Sequence, residues 1–181
     1  GIVGNCSYLA YIDTDAKVQW MCMPRFDSSF IFGSLLDQEK GGEFSICPSG
    51  KYTSHQYYIN NSNVLCTEFH TDRGKFRVVD CAPRFQNFER IFRPLMLIRK
   101  IELIEGDPAV TVCCKPVGNY GQVKADMVTA SNHIRYTGLG AQVRLTTDIS
   151  LNHVVSQQPF ILDQDRYLVF TYGEPLEAPL A

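Results

Sequence analysis

Within QWMCMPRFDSSF, residues 19–30, an arginine and an aspartate stand two positions apart, directly after a proline and close to the only tryptophan, Trp20. Arg25 offers a planar fork of donors and Asp27 a matching acceptor. The Pro24–Ser28 stretch therefore reads either as a binding loop or as a clamp at a packing surface. Trp20, Arg25, Phe26 and Asp27 are the first candidates for contact with a substrate or another domain. Carboxylates could also work in pairs, because sugar hydrolysis needs one protonated and one ionised carboxyl across the scissile bond. Asp27, Glu68, Asp80 and Glu102 are available, but most sit in alternating runs that turn an acid to solvent, and no spacing defines a pair. A nucleophile elbow G-x-S-x-G is absent. His55, His70, His133 and His153 are too scattered for metal-ligand spacing, and no C-x-x-C occurs. GLGAQV at 138–143 is half a dinucleotide fingerprint with no helix after it, and reads as a hairpin turn. No catalytic residue, metal site or cofactor is expected. The adjacent Tyr57 and Tyr58 of HQYYIN form an alternative sugar platform, against the simpler reading that one faces the core and the other the rim.

The elements that must position these groups are strands. Apolar residues recur with period two in SYLAYID, KVQWMCM, NVLCTEFHT, KFRVVDCA, LMLIRKIELI, AVTVCCKPV, HIRYTG, AQVRLTTDI and RYLVFTYG. The first two flank a short turn as in a hairpin. The DRG connection at 72–74 puts a glycine where positive φ is wanted. About a dozen short strands with closely spaced turn signals predict a mainly β fold, an antiparallel β-sandwich with one or two short helices. A helix is predicted within SSFIFGSLLDQEKGG, residues 28–42: serine caps it, Phe30, Leu35 and Leu36 share a face, and Gly41 ends it. The sandwich is expected over residues 1–172, and the Pro-rich, aperiodic tail from 173 to 181 reads as the start of a linker.

At 181 residues, 45% apolar and 20% charged, the chain can fold as one domain with a substantial core. A net charge of −2 gives no general attraction to nucleic acid or anionic lipid. Arg90, Arg93, Arg99 and Lys100 are the densest basic group and are expected on a solvated face. No run is long enough for a transmembrane helix, so neither nucleic acid nor membrane is an expected partner. No signal-peptide pattern opens the chain, although a start at Gly1 leaves a removed leader open. Seven cysteines, an odd number, point to free thiols and a reducing, cytoplasmic location. The N-x-S sequons at Asn5 and Asn60 weigh mildly the other way.

GNCSYLAYIDTDAKVQWMCMPRFDSSFIFGSLLD resembles the opening of bacterial and archaeal family 15 glycoside hydrolases, the glucoamylase, glucodextranase and trehalase-like group. Their opening reads G-N-x, an apolar strand, D-x-x-G-x-I-x-W-L-C-x-P-R-F-D-S, then F-x-x-L-L-D. NVLCTEFHTDRGKFRVVDCAPRF is similar to their L-x-T-x-F strand, glycine turn and V-x-D-x-x-P segment. PLMLIRKIELIEGDPAVTVCCKPVGNYG resembles their R-x-I-x-x-x-x-G strand pair and P-x-F-D-Y-G motif. Ala16 stands where a turn glycine is usual, Val117 and Asn119 fall near that last motif's aromatic and aspartate, and APRF replaces a proline-rich turn. The resemblance implies an N-terminal β-sandwich followed by a linker and an (α/α)6 barrel that carries both catalytic glutamates of an inverting hydrolysis of α-glucans or trehalose. It therefore implies a non-catalytic domain whose partner is the barrel of the same parent chain. Trp20, Arg25, Phe26 and Asp27 would lie toward that barrel or its active-site mouth. A homodimer, and a stand-alone carbohydrate-binding module using Tyr57 and Tyr58, are the other expectations.

Overall fold

The computed structural model describes residues 1–173. Strands β1 (Ile2–Gly4), β2 (Leu9–Ile12), β3 (Val18–Cys22) and β4 (Phe30–Phe32) form one antiparallel sheet in sequence order. They are followed by β5 (Glu43–Pro48), β6 (Tyr52–Tyr58), β7 (Leu65–Thr71) and β8 (Gly74–Cys81). Next come the short strands β9 (Phe85–Asn87) and β10 (Arg90–Phe92), then β11 (Met96–Gly106) and β12 (Ala109–Lys115). The second half holds β13 (Val117–Gly118), β14 (Val123–Lys124), β15 (Asp126–Thr129), β16 (His133–Thr137) and β17 (Val143–Thr147). Helix α1 (Leu151–Ser156), β18 (Phe160–Ile161) and β19 (Arg166–Tyr172) complete it. An eight-stranded antiparallel sheet, in the order β15-β16-β17-β19-β11-β8-β7-β6, faces the four-stranded sheet and a three-stranded sheet, β18-β12-β5. The pairs β9–β10 and β13–β14 are separate hairpins.

The alternation seen in the sequence explains the layers. Phe76 and Val78 of β8, Leu97 and Ile101 of β11, and Leu145 of β17 all point inward and are fully buried, because successive side chains of a strand leave opposite faces. Phe32 of β4, Phe44 of β5 and Phe170 of β19 bring one ring from each of the three sheets together, at centroid separations of 5.6, 5.2 and 5.9 Å. Each such ring contributes about 1.5–3 kcal/mol by leaving water. One connected cluster joins the sheets, so the sandwich has one main core.

Two expectations are corrected here. Residues 28–42 form no helix: Phe30–Phe32 pair with β3, and the remainder closes into turns. Gly33 N donates to Gly41 O and Gly41 N to Asp37 O, while Asp37 Oδ1 accepts the amides of Glu39 and Lys40. The Gly33 Cα lies under the Phe30 ring, too close for a Cβ, and Leu35 and Leu36 are exposed rather than on a buried stripe. Ring packing by Phe30 and Phe32 outweighed the helical spacing. Among the described residues the one α-helix is Leu151–Ser156, in a stretch without a clear periodic signal, and a 3-10 turn spans Asn119–Gly121.

The second correction concerns the basic group. Arg90 and Arg93 are exposed and Lys100 is half-buried, but Arg99 is completely buried. Its strand position is in phase with Leu97 and Ile101, so alternation sends it inward. Directly across the ladder it meets Asp80, which is likewise buried rather than solvent-facing. The expected linker lies, from residue 174 on, outside the described residues.

Candidate functional site

The Arg25–Asp27 turn is built locally. After β3 the Met23–Pro24 peptide is cis, Ser28 N donates to Arg25 O at 3.1 Å, and Arg25 N donates to the Ser28 hydroxyl at 3.3 Å. Ser28 thus closes this turn instead of capping a helix. Arg25 Nη2 reaches Asp27 Oδ2 at 3.0 Å with the two side chains 76% and 70% exposed, so the pair itself contributes little, ~0–1 kcal/mol. Phe26, between them, is exposed as well.

Three loops distant in sequence converge on this turn. Cys6 and Ser7 from the β1–β2 connection, Pro24–Asp27, and Arg93 and Leu95 after β10 line an open cleft of about 540 Å³. Buried Asn5 organises it: Oδ1 accepts the Ser7 amide, while Nδ2 donates to Pro83 O at 3.0 Å and Pro94 O at 2.8 Å. The Asn5 amide thus serves as an internal tie rather than a surface group. Trp20 is not in the cleft. It packs on Phe30, whose ring also meets Tyr120 edge-on, in a small outer cluster with Cys22 and Val117. Ser29 links the two places, its hydroxyl accepting the Tyr120 amide at 2.7 Å.

Tyr57 and Tyr58 leave opposite faces of β6 and do not make one platform. The Tyr58 hydroxyl accepts from Ile2 N and donates to Ile2 O, holding β1 against β6. Tyr57 stacks with His55 at 5.7 Å. A second cleft of about 430 Å³ lies between Glu43, Lys115, Lys124, Met127 and Tyr136, with charges of both signs.

Every candidate carboxylate is engaged by a cation or a histidine. Asp27 holds Arg25, Glu68 bonds His70 Nε2, and Glu102 takes both Arg77 and Lys100. Asp80 accepts Arg99 Nε at 2.7 Å, and the same guanidinium donates to Phe44 O at 3.1 Å and Ala16 O at 2.6 Å while lying 4.7 Å over the Phe44 ring. Ala16 has φ +53°, the left-handed turn geometry for which glycine is the easier residue. Burial pushes the Asp80 carboxyl upward, with the Arg99 charge and hydrogen bonds acting against it. Burial also raises the thiols of Cys22, Cys47, Cys66, Cys81 and Cys114, and that of Cys113 to about 12, which leaves these cysteines protonated and unreactive near neutrality. No group of three potential metal ligands occurs among the described residues. Sequence reasoning missed Arg93, Leu95 and the Asn5 tie, because only the fold brings them to Arg25. It also missed the Arg99 anchor, for which the phase of Leu97 and Ile101 was a usable signal.

These features define a class: a mainly β, antiparallel sandwich domain whose acids serve ion pairs and whose loop cleft is edged by Arg25, Phe26 and Arg93. Residues 1–157 match the model of the family described as trehalase-like, N-terminal, and the chain belongs to that family. A trehalase of Thermoplasma volcanium is 35% identical over 128 residues, covering 68% of this chain and 20% of that protein. Trehalase 2 of Sulfolobus acidocaldarius is 34% identical over 125 residues, 69% of this chain and 19% of the relative. A trehalase of Mycobacterium tuberculosis is 27% identical over 128 residues, 63% of this chain and 19% of the relative. The chain thus spans about a fifth of the length of these relatives. No solved structure matches it.

Proposed function

We propose that this chain is the non-catalytic N-terminal sandwich domain of a family 15-type glycoside hydrolase that acts on trehalose or a related α-glucoside. The domain occupies residues 1–172, and a linker beginning near residue 173 leads to an (α/α)6 barrel that holds the catalytic acids. The observation that carries this reading is the family match over residues 1–157, with trehalases about five times the length of the aligned segment. The geometry agrees: Asp27, Glu68, Asp80 and Glu102 are each committed to a basic partner, and none faces another across a cleft as an acid–base dyad requires. The domain's role is to pack against and stabilise the barrel, with Arg25, Phe26 and Asp27 facing it. Seven free thiols support a reducing, cytoplasmic setting.

The test is to read the natural coding region beyond Ala181 and assay both proteins for glucose release from trehalose and from maltooligosaccharides. Release by the full polypeptide, with none from the 181-residue chain, is the expected result. Glucose release by the 181-residue chain would place the chemistry in the sandwich and overturn the reading.

A further inference from the structure

The β9–β10 hairpin stands off the sandwich with an apolar surface that nothing in the described residues covers. Phe88 at its tip is 93% exposed and Ile91 is 56% exposed, and Phe85 and Phe92 are exposed too. Cross-strand partners Phe85 and Phe92 stack at 5.8 Å with planes 9° apart, whereas Ile91 alternates to the opposite face. The hairpin therefore exposes a stacked aromatic pair on one face, Ile91 beside its partner Gln86 on the other, and Phe88 at the tip. Two strands of three residues cannot bury such a surface by themselves. Phe88 also takes φ +54° in the connecting turn, where glycine or asparagine is the unstrained choice and a bulky aromatic is an outlier. The sandwich gains nothing from that aromatic, because its ring touches water.

The root of the hairpin is held firmly. Asn5 Nδ2 donates to Pro83 O just before it and to Pro94 O just after it. Phe26 flanks the same root across the cleft shared with Arg93 and Leu95. Arg90 and Arg93 are exposed and have no carboxylate partner among the described residues. A pinned base, exposed apolar side chains on both faces and an arginine fringe describe a wedge shaped for a groove rather than for a flat surface.

We propose that the Phe85–Phe92 hairpin, with Phe26 beside its root, inserts into an apolar groove edged by carboxylates on the downstream segment of the same parent polypeptide. The inference rests on the reading of this chain as the N-terminal domain of a longer hydrolase. The occupant follows from length: the trehalase relatives carry about four-fifths of their residues outside the part that aligns here. Neighbouring exposed apolar side chains are what an interaction site presents, and a partner in the same chain meets them at high effective concentration.

The test compares hydroxyl-radical oxidation of Phe88 in the 181-residue chain and in the full polypeptide from the natural coding region. Oxidation of Phe88 is expected to fall at least about tenfold in the full polypeptide. The double substitution Phe88→Ser/Ile91→Ser is expected to leave the melt of the 181-residue chain unchanged and to split the single transition of the full polypeptide into two. Equal oxidation of Phe88 in both proteins overturns the docking inference while leaving the domain assignment intact. Protection already present in the 181-residue chain and rising with its concentration means that a second copy covers the hairpin, which also overturns it. Protection that appears only on adding trehalose or maltoheptaose overturns it in favour of a sugar platform. A coding region that stops near residue 181 removes the domain assignment itself, and the docking inference with it.

Discussion

Arg99 shows how much one side chain can hold in this molecule. Its guanidinium joins β8 through Asp80, β5 through the Phe44 carbonyl and the β2–β3 turn through the Ala16 carbonyl, with Arg99 and Asp80 both fully buried. Removing one member of a buried pair leaves the other charge uncompensated, at a cost of about 3–5 kcal/mol. Arg99→Met is therefore expected to lower the urea-unfolding free energy by about that amount, whereas Arg99→Met combined with Asp80→Leu recovers much of the loss. A single substitution costing less than about 1 kcal/mol would show that water reaches Asp80. Arg25 is the opposite case. Its pairing with Asp27 is exposed, so Arg25→Ala is expected to change the stability of the 181-residue chain by less than about 1 kcal/mol. Loss of cooperative unfolding in that variant would instead make the turn a structural clamp.

At the level of elements, the outer face of β8, β11 and the β18–β19 connection carries a charge ladder. Arg77 and Lys100 both bond Glu102, and Lys100 also reaches Asp165 at 2.9 Å. Partial burial pushes Glu102 and Asp165 upward, but the hydrogen bonds from Lys100, with Arg77 on Glu102 and the Leu103 amide on Asp165, outweigh it and hold both carboxyls below their usual values. A carboxyl depressed in the folded state adds stability above its unfolded pKa and loses it as pH falls through the folded value. Stability is therefore expected to be level near neutrality and to decline from about pH 5 downward. Glu102→Gln should flatten that decline by up to about 1 kcal/mol, seen as urea midpoints compared at pH 7 and pH 3.5. An unchanged pH slope in the variant would count against the ladder. The β13–β14 hairpin and the Asn119–Gly121 turn make a smaller contribution, screening Phe30 and Trp20 through Val117 and Tyr120.

For the whole molecule, the core runs without a break from the β1–β4 sheet to β17 and β19. Loss of any one layer would strip cover from the other two, so the 181-residue chain is expected to unfold in a single transition. Equal midpoints by tryptophan fluorescence, which senses Trp20 outside the main core, and by far-ultraviolet circular dichroism would check this. An earlier fluorescence transition would show that the outer cluster of Trp20, Phe30 and Cys22 melts separately. The Phe85–Phe92 hairpin belongs to the same scale, because the partner proposed for its exposed rings lies outside the described residues.

The sequence by itself determined most of the strands and the faces of their apolar residues. Period-two runs such as KFRVVDCA and LMLIRKIELI admit one inward set, and the DRG turn pairs its neighbours in a single register. The PRFDS block and its surroundings were also enough to point to a trehalase-like relationship. Only the tertiary structure decided what depends on contacts between distant segments. It turned Phe30–Phe32 from part of a predicted helix into an edge strand, since burial of the Phe32 ring against β5 and β19 outweighs local spacing. It supplied the partners that hold Arg99 inside, where its strand phase points it: Asp80 and the carbonyls of Ala16 and Phe44. It also separated Trp20 from Arg25 and set Arg25 beside Arg93 and the aromatic hairpin instead. Spacing along a chain reports which face a side chain leaves. Which partners it finds is settled only when the sheets close on one another.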